Sequence, residues 1–66
     1  MSLSVAEWRR IKKISQDEMA EKLGISAMTV RSWEAHPEMI RIGYIPRIAE
    51  VLGVDAKDIF LPDNRN

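Results

Sequence analysis

The sequence predicts an all-α fold, one domain built from five short helices, and three observations carry that prediction. Apolar residues recur at three- and four-residue spacing in separate runs, the spacing that places them on one face of a helix. Ser4, Ser15, Ser26 and Asp55 each precede such a run, and Gly24 and Gly53 each close one, as helix starts and stops require. No segment alternates as a half-buried strand would, and neither an internal repeat nor a low-complexity stretch is present. The 66 residues are expected to form a single domain over 1–66, with a polar tail from about residue 62. A core this small makes self-association a natural source of extra stability.

The first helix starts at Ser4, whose oxygen accepts from an orphan amide while Glu7 reaches back to the cap amide. It is expected to run to about Lys13, with Val5 and Trp8 as its buried pair, Ile11 partly covered, and Arg and Lys near the negative end of the helix dipole. Ser15 and Glu18 repeat the capping box ahead of a second helix whose inward stripe is Met19, Ala20 and Leu23. Gly24 ends it in the left-handed conformation, and Ile25 drops back onto the core. Ser26 caps a third helix to about Ala35, with Val30 and Trp33 inward and Ala27, Met28, Arg31 and Ser32 on other faces.

Pro37 marks the end of the third helix and biases His36 toward extended geometry, so His36 to about Gly43 reads as a loop. Pro46 suits a first helical turn, and Ile45, Ile48, Ala49 and Leu52 define a fourth helix up to Gly53. Asp55 then caps a short fifth helix containing Ile59 and Phe60, before Pro62 and the tail.

Composition excludes several function classes. Without cysteine there are neither disulfides nor thiolate metal sites, and His36 has no partner at metal-ligand spacing. No apolar run approaches membrane-spanning length, and the N-terminus lacks a signal-peptide layout, so a soluble, cytoplasmic protein is expected. The three capping serines are explained without nucleophilic catalysis, and the two tryptophans read as core. With neither a glycine-rich phosphate loop nor a paired-carboxylate cleft, the expectation is a non-enzyme that uses no cofactor, metal or small-molecule ligand. Ten Lys and Arg balance ten Asp and Glu, which by itself counts against nucleic acid. The charges are unevenly placed, however: Arg9, Arg10, Lys12 and Lys13 cluster, followed by Asp17, Glu18 and Glu21, with Asp55, Asp58 and Asp63 near the end.

Two helices joined across a turn as short as Gly24–Ile25 must cross closely, which calls for a small residue at Ala20 and apolar anchors at Ile25, Val30 and Trp33. On these positions the stretch SQDEMAEKLGISAMTVRSWE resembles the core of the Cro and repressor type, XRE-like helix-turn-helix family of phage and bacterial regulators. VAEWRRIKK is similar to the family's first helix and YIPRIAEVLGVDAKDIF to its last two, so the resemblance spans nearly the whole chain. It implies a compact five-helix, lambda-repressor-like DNA-binding domain whose third helix enters the major groove.

The resemblance also implies site residues. Ala27, Met28, Thr29, Arg31 and Ser32 occupy the base-reading positions, where Ala27 and Met28 offer only apolar contact and direct readout rests heavily on Arg31. Gln16 falls at a phosphate-binding position, and Arg9 and Glu34 at those of a structural ion pair; beside them Arg10, Ser15, Ser26 and Arg41 are candidate phosphate contacts, and Tyr44 is either a hydroxyl contact or a core-edge tyrosine. The loop after the third helix departs from the family's glycine-containing, basic pattern: it reads AHPEMIRIG, with Arg41 its one full positive charge. The function implied is a sequence-specific regulator, a Cro-like or free-standing repressor, that binds double-stranded palindromic DNA as a homodimer; Ile59, Phe60 and Leu61, more apolar than a short last helix needs for docking, either form its interface or close the core. The rival is a protein-interaction module, an antitoxin or antirepressor with a protein partner, favoured by the neutral charge and the apolar Ala27 and Met28.

Overall fold

Helix starts in this chain are set by serine hydroxyls. A computed structural model describes residues 1–62; the polar tail expected from about residue 62 lies, from residue 63 on, outside the described residues. Among the described residues four α-helices are formed: α1 Val5–Ile11, α2 Gln16–Leu23, α3 Ala27–Ala35 and α4 Ile45–Leu52. Ser4 and Glu7 make the full capping box, with bonds of 3.1 and 2.9 Å. At Ser15 the hydroxyl accepts from the Glu18 amide at 3.0 Å without the returning glutamate bond of α1, and at Ser26 it accepts from the Thr29 amide at 3.1 Å. Each of these caps is worth about 1 kcal/mol.

Helix ends differ from the expected ones where the backbone finds another partner. α1 stops at Ile11, short of Lys13: Lys12 is its cap, and Lys13 takes a left-handed φ of 59°. The Ile14 amide then returns to the Arg9 carbonyl at 3.0 Å, which turns the chain into α2. Gly24 (φ 73°) and Gly53 (φ 72°) end α2 and α4 in the left-handed region, where a side chain would be strained. After Gly24, the Ile25 amide donates to the Ala20 carbonyl at 3.0 Å, which holds α3 against α2 across a three-residue turn, the shortest between two α-helices among the described residues.

The fifth helix is absent as such. Ala56–Asp58 form a single 3₁₀ turn, and Asp55 makes no side-chain cap. The backbone groups that would have continued a helix are diverted: the Phe60 amide donates to the Leu3 carbonyl at 2.7 Å, and the Asp58 carbonyl accepts from the Leu3 amide at 3.0 Å. This isolated parallel bridge between Leu3 and Ile59 leaves Ile59 and Phe60 extended rather than helical. Trp8 reinforces it, its indole Nε1–H donating to the same Asp58 carbonyl at 2.7 Å. Trp8 is therefore half-buried at the chain ends, while Val5 alone of the expected pair is fully in the core.

The core gathers Met19, Ala20 and Leu23 of α2, Val30 and Trp33 of α3, and Ile48, Ala49 and Leu52 of α4, with Ile40 and Ile59 closing its edge. Ile40 belongs to the segment expected as plain loop, which is instead two 3₁₀ turns, Pro37–Met39 and Ile42–Tyr44, with Ile40 pinned between them. Burying these side chains is the main stabilising contribution, at about 1.5–3 kcal/mol for each large one.

Candidate nucleic-acid interface

The turn between α2 and α3 leaves one side of α3 open. A helix advances roughly 100° per residue, so with Val30 and Trp33 inward, Ala27, Met28, Arg31, Ser32 and Ala35 share the outward arc. Met28 is 72% exposed and Arg31 is exposed, with no bonded partner among the described residues. Ser32 is half-buried, and Ala27 is partly turned onto the core. Thr29 falls off this arc: it is half-buried, and its Oγ1 lies 2.9 Å from Ser26 Oγ, so the hydroxyl serves the α3 cap rather than the open face.

The expected phosphate-binding residues are spread over three elements. Ser15 and Ser26 use their oxygens as caps. Arg10 and Arg41 are exposed at the end of α1 and in the segment after α3. Gln16 is half-buried, because its Nε2 donates to Glu34 Oε1 at 2.9 Å. Tyr44 is also half-buried. Its ring meets Trp33 edge-on, with centroids 5.3 Å apart, and the Arg47 guanidinium carbon lies 5.2 Å from its centroid.

Arg9 and Glu34 meet in a two-pronged ion pair, Nε to Oε2 at 2.6 Å and Nη2 to Oε1 at 3.1 Å, while Arg9 Nη1 donates to the Ile14 carbonyl at 2.9 Å. Their side chains are only 12% and 8% exposed. Burial alone would raise the Glu34 pKa, but the hydrogen bonds from Arg9 and Gln16 and the charges of Arg9 and Arg10 outweigh it and hold the carboxyl below the ordinary glutamate value. The bond to Glu34 raises the Arg9 pKa in turn. The network ties α1, the start of α2 and the end of α3 into one unit and so fixes the angle at which α3 is presented.

This arrangement, a paired α2 and α3 with one helix face left open, is the geometry that the helix-turn-helix family uses, and the chain matches that family over residues 5–59. It belongs to the XRE-type helix-turn-helix family. Membership carries DNA binding and transcriptional regulation of the XRE type as the coarse function. No curated protein and no solved structure matches the chain. Among the described residues no helix is long and apolar enough to cross a membrane, and no group of three or more His, Cys, Asp or Glu is placed to hold a metal ion.

Sequence reasoning about this helix-turn-helix missed Arg47. Its Nη2 donates to the Leu23 carbonyl at 3.0 Å, joining the start of α4 to the orphan carbonyls at the end of α2. The available signal was a cation in the first turn of α4, where the helix dipole disfavours it unless it has another partner. Of the residues expected at a dimer interface, Ile59 is 6% exposed and fills the core of the domain, because the bridge to Leu3 turns it inward. Phe60 is 54% exposed, and Leu61 is half-buried against a shallow groove of about 160 Å³ that Ile40, Ile42 and Ile45 also line.

Proposed function

We propose that the protein is a sequence-specific repressor that binds a palindromic operator as a homodimer, each protomer laying α3 in the major groove. The observation that carries this reading is the open arc of α3, where Arg31 extends without a partner among the described residues, beside the exposed Met28. Arg31 suits bidentate bonding to guanine, Met28 and Ala27 suit thymine methyls, and Ser32 suits either base. Gln16, Arg10 and Arg41 supply phosphate contacts, with Ser15, Ser26 and Tyr44 at the rim; Asp17 and Glu18 in the first turn of α2 restrict how many such contacts that helix makes. Phe60 and Leu61 are the dimer contact, beside the apolar groove. Occupying a promoter blocks it without any further activity, which favours repression.

One observation favours a second reading. Met28, Met39 and Ile42 are exposed apolar side chains on α3 and the segment that follows it, in a chain whose formal charge sums to zero, as suits an antitoxin or antirepressor that binds another protein. A salt titration on duplex DNA separates the two. On the DNA reading, log K falls linearly with log salt at a slope of about −0.9 for each phosphate contacted. Duplex binding that is absent at low salt supports the protein-interaction module instead.

A further inference from the structure

Glu34 links two groups whose roles look separate in the sequence, the ion pair to Arg9 and the amide that begins α2. Its Oε1 accepts from both Arg9 Nη2 and Gln16 Nε2, at 3.1 and 2.9 Å, and its Oε2 accepts from Arg9 Nε at 2.6 Å. An ionised carboxylate has acceptors only, so it takes the nitrogen end of the glutamine amide and refuses the oxygen end. The bond thus decides which way round Gln16 stands, leaving its carbonyl and second N–H for a partner. Arg9 is more fully committed: Nε and Nη2 donate to Glu34 and Nη1 to the Ile14 carbonyl, three of its five N–H groups, and the side chain is only 12% exposed.

We propose that Glu34 is a positioning residue for DNA binding: it orients the Gln16 amide so that the free N–H donates to a backbone phosphate, while Arg9 cancels the carboxylate charge that would repel that phosphate. The inference rests on the DNA-binding reading above. Its physical advantage is preorganisation, because an unheld glutamine must lose rotamer freedom and choose between two amide orientations when the duplex arrives. A carboxylate without Arg9 would oppose the phosphate, and Arg9 without the carboxylate would attract it indiscriminately.

The test is a double-mutant cycle on a duplex recovered by the protein from a random pool, using the unaltered chain, Gln16→Ala, Glu34→Gln and the double variant, each checked for folding by its thermal melt. The cycle cancels the extra positive charge that Glu34→Gln leaves behind. Glu34→Gln is expected to weaken binding about fivefold more when Gln16 is present than in the Gln16→Ala background. Equal effects in both backgrounds overturn the positioning role while leaving DNA binding intact, whereas failure of the unaltered chain to bind any duplex at low salt overturns both. Should Glu34→Gln not fold, the unaltered chain carries the test by NMR, since Gln16 is the only glutamine in the sequence. A nuclear Overhauser contact between its Nε2 protons and the Glu34 Hγ protons is expected in both the free and the duplex-bound protein. Loss of that contact on binding overturns the proposal.

Discussion

Arg31 has the most direct consequence of any single residue. It is the one charged side chain on the open arc of α3 and no bond holds it among the described residues, so Arg31→Ala should leave the melting temperature nearly unchanged. Discrimination at one base pair of the bound site should fall by about 1–3 kcal/mol, measured by comparing matched and single-substituted duplexes. Equal losses on selected and random DNA would remove Arg31 from base reading. Lys13 illustrates the opposite case, a residue whose identity works against its backbone. Its φ of 59° lies in the left-handed region and its side chain is exposed, so Lys13→Gly should raise stability by about 1 kcal/mol in urea unfolding. Arg31 was legible in the sequence because helical spacing and the family pattern both point outward there. The strain at Lys13 was not, because it depends on where α1 stops, and a backbone bond from the Ile14 amide decides that.

Among the elements, the four helices were legible because each announces its own boundary: a serine oxygen opens three of them, and glycine closes α2 and α4. The fifth was misread for a definite reason. Asp55, Ile59 and Phe60 have the local pattern of a capped helix, but amide partners 50 or more residues away in sequence divert the backbone into a bridge with Leu3. Local periodicity carries no trace of such a partner. The same clamp makes a prediction about α1: Trp8→Phe keeps the apolar ring but removes the 2.7 Å bond to the Asp58 carbonyl. It should cost about 1 kcal/mol in stability and increase hydrogen exchange at the Leu3 and Phe60 amides. Unchanged exchange at those two amides would show that the bridge does not depend on the indole. Of the expected site, the Arg9–Glu34 and Gln16 positions could be picked out singly from the family pattern, but the bond joining Gln16 to Glu34 requires α2 and α3 to be packed before it exists.

For the molecule as a whole, two carboxylates contribute to the loss of stability in acid. The Ser4 backbone and hydroxyl lower the pKa of Glu7, and the Arg9 and Gln16 bonds lower that of Glu34 against the opposing effect of burial. Their stabilising contribution is fully present above the ordinary value of 4.5 and is lost as pH falls through the lower folded values. Unfolding free energy measured in urea should therefore be flat near neutrality and drop below about pH 4.5, and Glu34→Gln should be less stable at neutral pH with a shallower acid decline. A decline as steep in the variant as in the unaltered chain would exclude Glu34 as a source of the pH dependence. Two-fold-symmetric reading by the proposed homodimer is tested by selecting bound duplexes from a random pool at low salt. The expected result is an enriched sequence with two-fold symmetry, its half-sites about one helical turn apart and each carrying a guanine lost from the preference on Arg31→Ala. A pool that shows no enrichment, or enrichment of a site without two-fold symmetry, would contradict it.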